Sequence, residues 1–440
     1  MSVNHIKKYS SIISLAIIVV LSKFSQLFLD FIISNTLGDG YITDSIIICL
    51  SITTGLSNFY FIQTNRNLIG FTAGLTIQNQ TKIIIKLITF NLIIFSPLVI
   101  LATVYSSEIL NYLFNDMSLA TFRMSKYFLS FFLVSVLSNL IFHSLNVLKL
   151  NDNISNLLPI TNIINVFISI SFLILYSYYS NNIFIGYAFL LGPIFQVLIF
   201  IYYSWKRIKT IRFKIIDFFN FHEIRKIILS TLPILIIHLI SEFSKVYEKS
   251  TANSIGEGVV SAYYYSNKLN ISLIGILITV FSYKVLPTLS KLFKTDKVKF
   301  ISLSKKTIFF SILIALFFTF SLFLTSDLLI DNTLNYSNKI KNIDLLKNSF
   351  IIYSFGAISY LIIQIISMIF ISSNKFWLAY LPLLIVSFLK FSSLFYINKI
   401  DTLNPDTIPL IHLFSFSIAG VFSLFIMSNF FKKIEIVNPL

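Results

Sequence analysis

Apolar stretches recur along the whole chain, and they constrain its fold more than any other feature. Many of them reach the roughly 20 residues that carry an α-helix across the hydrocarbon core of a bilayer. Only 12% of the residues are charged, whereas a soluble domain carries about a quarter. Backbone in lipid must satisfy its own hydrogen bonds, and continuous rather than alternating apolar runs indicate helices instead of a barrel. The sequence therefore predicts an all-α polytopic membrane protein.

We predict about twelve transmembrane helices. Their approximate bounds are 11–34, 43–62, 83–105, 127–148, 155–179, 182–204, 227–246, 259–286, 307–326, 349–372, 376–396 and 408–430. Internal prolines are expected to kink some of these helices, and Pro287 is expected to end the eighth.

The positions of the charges predict the orientation. The chain carries a net charge of +16. If both termini are cytoplasmic, most lysines and arginines fall on cytoplasmic segments and most acidic residues on the opposite side, as the positive-inside rule requires. The basic character is thus explained by topology and by contact with the lipid bilayer, and we expect no nucleic-acid partner.

A weak internal repeat predicts two similar halves. Ser22-Lys23-Phe24-Ser25 precedes Gly38-Asp39-Gly40, and Ser241-Glu242-Phe243-Ser244 precedes Gly256-Glu257-Gly258 at nearly the same spacing. We predict an N-terminal six-helix lobe over 1–204, a basic amphipathic cytoplasmic linker over 205–226 and a C-terminal six-helix lobe over 227–440. The two lobes would be related by a parallel repeat, an arrangement that transporters use to bind substrate between halves.

Charges within the predicted spans mark the candidate site, because a charge at the bilayer centre is unfavourable by roughly 2.5–3.5 kcal/mol or more. Lys23 and Lys268 either face a water-filled cavity, where they would bind an anionic substrate, or pair structurally with carboxylates. Asn267 is grouped with Lys268 as a substrate-binding candidate. Lys390 is interpreted as a lysine that extends to the membrane surface.

Two carboxylates are candidates for proton or ion coupling. Asp30 lies two helical turns beyond Lys23, and it is either a coupling site or the structural partner of a basic residue. Glu242 is the second candidate, although Lys245 at i+3 offers it a local ion pair.

No motif predicts an enzyme, a metal centre or a cofactor. Cys49 is the single cysteine, the five histidines lack metal-ligand spacing, and there is no phosphate-binding glycine loop. We therefore expect a non-catalytic protein with no cofactor.

Two regions resemble the MurJ/MviN lipid II flippase family, a branch of the multidrug/oligosaccharidyl-lipid/polysaccharide exporter superfamily. The residues that carry the resemblance are Ser22-Lys23, Asp30, Leu37-Gly38, Gly40, Thr43-Asp44, Ala262 to Leu269, Gly275 and Val285 to Ser290. The resemblance implies that Lys23 and Lys268 occupy positions of cavity arginines that meet the pyrophosphate of the substrate. Lysine keeps the charge of arginine but lacks its planar, bidentate fork. The family commonly has fourteen spans, and twelve are predicted here.

These features together predict a flippase of the bacterial inner membrane with a role like that of Wzx proteins. It would move a polyprenyl-pyrophosphate-linked glycan, either a surface polysaccharide or O-antigen repeat unit or lipid II, by alternating access, and glycan polymerase machinery is a further expected partner. The alternative is a MATE-like cation-coupled multidrug exporter with Asp30 as its coupling site. A third hypothesis is a membrane scaffold, which would need no cations in a cavity.

Overall fold

The structure, a computed structural model, describes residues 3–57, 60, 64, 68, 71–72, 75–114, 116–152, 156–209, 221–373, 375–398 and 404–437. Throughout these ranges the regular secondary structure is helical. The helices are α1 (Val3–Leu37), α2 (Tyr41–Leu56), α3 (Ile77–Val104), α4 (Ser106–Leu113), α5 (Leu119–Asn151), α6 (Leu157–Tyr179), α7 (Ile183–Lys209), α8 (His222–Ile255), α9 (Val259–Thr295), α10 (Lys297–Leu329), α11 (Ile343–Ser372), α12 (Phe376–Asn398) and α13 (Thr407–Val437). A π-helical turn, Ile330–Leu334, follows α10.

The helical, multi-pass character predicted from hydropathy is confirmed. Nine helices within the described residues are long and apolar enough to cross a membrane, or ten if the bent helix α8 counts as one span. Each predicted span overlaps one helix, but α2 is a shorter apolar helix and α9 is not among the nine. The count of twelve spans and the orientation of the termini stay predictions.

The prediction that Pro287 ends its helix is wrong. Helix α9 continues past it to Thr295. Pro97, Pro193 and Pro382 also lie inside helices. Proline is tolerated inside membrane helices because neighbouring helices and local adjustments satisfy the backbone groups that it leaves unpaired.

The chain forms two compact units. The first comprises Met1–Leu37 and Tyr41–Glu242, and the second comprises Gly38–Gly40 and Phe243–Leu440. Helix α8 therefore contributes to both units, and the short turn between α1 and α2 belongs to the second. Half of the predicted amphipathic linker, residues 210–220, lies outside the described residues, so its place on the membrane surface stays a prediction.

Helix pairings in the first unit recur in the second. In the first unit α5 packs against α2, α3 and α7, and α6 packs against α7. In the second unit α11 packs against α9, α10 and α13, and α12 packs against α13. The central helix of each unit is thus the fourth of its six long helices.

Matching hydrogen bonds join the second and fourth long helices of each unit. In the first unit Ser45 Oγ donates to the carbonyl of Thr121 over 3.0 Å, and Cys49 Sγ donates to that of Ser125 over 3.3 Å. In the second unit Ser266 Oγ donates to the carbonyl of Leu346 over 2.8 Å, and Asn270 Nδ2 donates to that of Phe350 over 3.2 Å. In each unit, two polar side chains one turn apart therefore link the second long helix to the fourth by hydrogen bonds.

Candidate functional site

Lys23 and Asp30 lie on α1 in the first unit. Asp30 is buried, with 7% of its surface exposed, and Lys23 is partly buried. Seven residues separate them, which places them on one face of the helix about 10 Å apart. The apolar window of α1 spans Ile17–Leu37, so both charges lie within its membrane-spanning part.

Glu242 lies on α8, at the end of the first unit. It is buried, and a Cβ placed on Gly55 of α2 would lie 3.8 Å from its carboxylate oxygen Oε2. Lys245, one turn further along α8, is exposed. The structure thus places Glu242 against α2 and places Lys245 on the surface.

Lys268 and Asn267 lie on α9 in the second unit, and both are partly buried. Lys268 Nζ lies 5.6 Å from the centre of the Tyr264 ring, one turn earlier on the same helix. The Nζ of Lys249, on α8, lies 5.8 Å from the same ring. Two ammonium groups therefore share one aromatic ring, whose negative face attracts both. Two cations beside one ring give this part of the second unit a local positive charge.

Lys249 is a candidate that the sequence reasoning missed. The predicted span ended at residue 246, which assigned Lys249 to a loop, whereas α8 continues to Ile255. Residues 256–258 connect α8 to α9, and Nζ of Lys249 lies near the Tyr264 ring across this short connection. The signal that could have found it is the charge pair Glu248-Lys249 ahead of Gly256.

Lys390 is buried, so the prediction that it extends to the membrane surface is wrong. Only 6% of its surface is exposed. Its Nζ lies 2.6 Å from Oε2 of Glu248, which belongs to α8. The ion pair satisfies the charge of the ammonium group inside the protein, so the side chain does not need to extend to the membrane surface.

The two glycine-acid-glycine motifs meet in the second unit. The carboxylate of Asp39 accepts hydrogen bonds from the backbone N–H groups of Lys341 and Asn342, at 2.8 and 2.7 Å. The Nδ2 of Asn342 donates to the carbonyl of Glu257 over 3.1 Å. Gly258 has φ +84, and a Cβ there would overlap Asp39. The motifs therefore fix the N-terminus of α11.

The chain matches the family model described as "Lipid II flippase MurJ" over residues 75–434. The chain belongs to the MurJ lipid II flippase family. The matched range includes Glu242, Asn267 and Lys268, while Lys23 and Asp30 precede it. This family consists of transporters that act on lipid-linked substrates in the membrane.

Solved structures share the fold. A lipid II flippase MurJ in an inward closed conformation matches with a TM-score of 0.79, at 18% identity over 94% of this chain and 87% of that one. An inward-facing MATE multidrug transporter matches with a TM-score of 0.76, at 12% identity over 96% and 99% of the two chains. A transporter of the same superfamily from Pyrococcus furiosus has a TM-score of 0.63, at 13% identity over 96% of each chain. No curated protein matches the chain.

The described residues form no cluster of side chains suited to binding a metal ion. They contain no group of three or more histidine, cysteine, aspartate or glutamate side chains that could bind one. The candidate site residues within the described part of each unit are lysines, carboxylates and an amide on apolar helices.

Proposed function

We propose that this member of the MurJ family translocates a polyprenyl-pyrophosphate-linked glycan from the cytoplasmic to the periplasmic leaflet of a bacterial inner membrane by alternating access. Membership of the family supports the general activity. The lysines of the candidate site support a substrate with an anionic head group. We propose that the lipid tail of the substrate stays in the bilayer.

The observation that carries the proposal is the pair of lysines around Tyr264. A pyrophosphate crossing hydrocarbon needs a hydrated path lined by cations. Lys268 and Lys249 hold two ammonium groups beside one ring in the second unit. Lys23 supplies a third cation from a membrane helix of the first unit, and Asn267 adds an amide that can bind a phosphate or sugar oxygen. Asp30 and Glu242 are the proposed coupling carboxylates of that unit.

The glycan is proposed to be a surface polysaccharide or O-antigen repeat unit, with lipid II as the other substrate of the same chemistry. Lysine binds phosphate as a compact point charge and does not impose the bidentate geometry that arginine does. A lysine-lined path therefore tolerates more than one head-group orientation, which suits glycans of varied structure.

Alanine substitution of Lys23, Lys249 or Lys268 is expected to slow translocation of the glycan. Each variant loses a charged contact worth about 1.5–3 kcal/mol, which corresponds to a roughly 10- to 100-fold lower rate. The measurement is translocation in proteoliposomes that carry either lipid II or a polyprenyl-pyrophosphate-linked repeat unit. Faster movement of one of the two lipids identifies the physiological class.

Lys291→Ala is the matched control, because Lys291 is an exposed lysine on the same helix as Lys268. Its rate should equal that of the wild type. Unchanged translocation in all three test variants would exclude the cationic path. Efflux of a cationic dye, unaffected by these lysines, would instead favour a MATE-like exporter.

A further inference from the structure

Two clefts lie beside the first turns of α5, at the end of the first unit where α6 ends and α7 begins. The first cleft has a volume of about 660 Å³ and the second about 600 Å³. These volumes fall in the roughly 300–1,000 Å³ range of small-ligand sites. Phe122 lines the first cleft and Met124 lines the second. A step of two residues turns a helix by about 200°, so the clefts lie on opposite sides of α5. We call them the α5 clefts.

Amide side chains line the second α5 cleft. Asn181 Oδ1 accepts a hydrogen bond from the backbone N–H of Ile183 over 3.0 Å, which holds this side chain in place. Asn182 Nδ2 lies 3.9 Å from Sδ of Met124, and a thioether is a weak acceptor. An oxygen atom of a ligand would be a stronger acceptor than this sulfur. Each amide carries both a donor and an acceptor, which matches hydroxyl groups on adjacent carbons of a sugar.

Tyr127 adds an exposed aromatic ring to the second α5 cleft. The residue is 40% exposed. Its ring packs against that of Phe131, one turn further along α5, with 5.5 Å between the ring centres. This contact holds the ring in place before any ligand binds. The face of an aromatic ring carries partial negative charge, so it attracts the C–H groups of a sugar, which neighbouring oxygens polarise. Tyr127 therefore provides a stacking surface for a sugar ring.

A basic residue accompanies each α5 cleft. Lys126 follows Phe122 of the first cleft by four residues, and Arg123 precedes Tyr127 of the second by four. Residues at i and i+4 are neighbours on a helix surface. Both basic side chains are exposed, and neither forms an ion pair within the described part of the chain. In the predicted orientation they lie on the periplasmic side, so the positive-inside rule does not account for them.

The two α5 clefts differ in charge. Asp116 lines the first cleft, so that cleft combines an exposed carboxylate with Lys126 on the same side of α5. The described residues that line the second cleft are uncharged, so Arg123 gives that cleft a positive charge. Charge complementarity therefore favours a neutral group in the first cleft and an anionic group in the second. A phospholipid phosphate would use only donors, whereas an acidic sugar uses the donors and the acceptors of the second cleft.

We propose that the α5 clefts bind the glycan of the translocated substrate on the periplasmic side, and that this glycan contains an acidic sugar. The acidic sugar stacks on Tyr127, its carboxylate accepts charged hydrogen bonds from Arg123, and its hydroxyl groups bind Asn181 and Asn182. A neighbouring neutral sugar occupies the first cleft, where the carboxylate of Asp116 accepts from its hydroxyl groups. The role of this surface in transport rests on the proposed function, whereas its binding of a free oligosaccharide does not.

Binding of free oligosaccharides to the full chain, in phosphatidylcholine nanodiscs and without any lipid-linked substrate, tests the proposal. The acidic probe is a hyaluronan tetrasaccharide, which alternates glucuronic acid with N-acetylglucosamine. The neutral probe is chitotetraose, which contains only N-acetylglucosamine. Titration followed by saturation-transfer NMR should give an affinity about tenfold higher for the acidic probe, because hydrogen bonds to a charged group are the stronger ones. Equal affinities, or no binding of the acidic probe, would overturn the proposal.

Substitutions on α5 locate the binding site. Arg123→Gln should weaken binding of the acidic probe about tenfold and leave the neutral probe unaffected. Tyr127→Ala should weaken both probes by about 3- to 10-fold, whereas Tyr127→Phe keeps the ring and should bind as the wild type does. Lys206→Gln and Tyr202→Ala are the matched controls, because both residues are exposed at the other end of α7. An affinity for the acidic probe that is unchanged by Arg123→Gln, an exposed position, would overturn the assignment.

Two further measurements separate the proposal from its alternatives. If Arg123 binds a lipid head group instead, Arg123→Gln will retain less phosphatidylglycerol in mixed nanodiscs while its affinity for both sugars stays unchanged, and this result would overturn the inference. Translocation of a lipid-linked glycan is then measured with the wild type. Oligosaccharide binding as expected, without translocation, would overturn only the proposed function. Normal translocation without oligosaccharide binding would overturn only this inference.

Discussion

At the scale of single residues, Gly192 shows how closely two helices of the first unit approach each other. It lies on α7, and a Cβ at this position would overlap Oδ1 of Asn165 on α6. One turn further along α7, Gln196 Nε2 donates to Asn162 Oδ1 over 2.8 Å. The missing side chain at Gly192 thus allows the polar contacts between the helices to form.

Gly192→Ala should destabilise the protein, because the added methyl group displaces the side-chain amide of Asn165 and lies tight against its backbone carbonyl. Overpacking of this kind typically lowers stability by about 1–3 kcal/mol. Gly275→Ala is the matched control, since a Cβ there has no neighbour within 4 Å. Alanine in a helix is more stable than glycine by roughly 0.5–1 kcal/mol, so this variant should gain stability. Thermal unfolding in detergent measures the stability of both variants. An equal change in stability for Gly192→Ala and Gly275→Ala would contradict the packing argument.

The sequence identified some site residues and missed others for a physical reason. A charge inside an apolar run is visible without a structure, and Lys23, Asp30, Glu242 and Lys268 were found in that way. The partner of a buried charge depends on tertiary packing, which the sequence does not display. Lys390 was therefore assigned to the membrane surface, although Glu248, far away in the chain, binds it.

At the scale of elements, the N-terminus of α11 depends on a distant turn. Helix N-termini carry unsatisfied N–H groups and a partial positive charge, so an anion beside them is stabilising. Asp39 supplies this anion from the turn between α1 and α2, and it is 1% exposed. Gly38 adopts φ +73, and a Cβ there would lie only 2.5 Å from the carbonyl oxygen of Lys339.

Asp39→Ala should destabilise the second unit by about 0.5–2 kcal/mol, the range for loss of an N-terminal capping side chain. The backbone N–H groups of Lys341 and Asn342 would lose their acceptor. Asp327→Ala serves as the control, because that carboxylate is 76% exposed and pairs with Lys347 at the surface. Hydrogen exchange at the first turn of α11 measures the effect locally, and equal exchange in the two variants would contradict it.

Hydropathy located the helices well and their ends poorly. Apolar length is a property of each segment alone, so every predicted span overlaps a helix. Helix ends depend on capping and on neighbours, and α8 extends to Ile255 where the prediction stopped at residue 246. That extension adds Glu248, which pairs with Lys390, and Lys249, which belongs to the proposed substrate site.

At the scale of the whole molecule, the repeat organises the chemistry. The same helix pairings and hydrogen bonds recur in both units. Glu248 in the second unit forms an ion pair with Lys390, and Asp30 in the first unit lies on the helix that carries Lys23. The lysines proposed to bind the substrate are distributed over both units, with Lys23 in the first and Lys249 and Lys268 in the second.

Orientation in the membrane is the remaining whole-molecule prediction, and α10 provides its test. Lys299 lies in the first turn of α10 with 77% of its side chain exposed, and Tyr336 lies beyond the far end with 78% exposed. Single cysteines at these positions report the side of the membrane on which each end of α10 lies. They are introduced in a Cys49→Ser background, because serine keeps the hydrogen-bond donor of Cys49. With cytoplasmic termini, a membrane-impermeant maleimide should label Tyr336→Cys in intact cells and Lys299→Cys only after permeabilisation. The reverse pattern would invert the topology, and labelling of both in intact cells would show that α10 does not span the membrane.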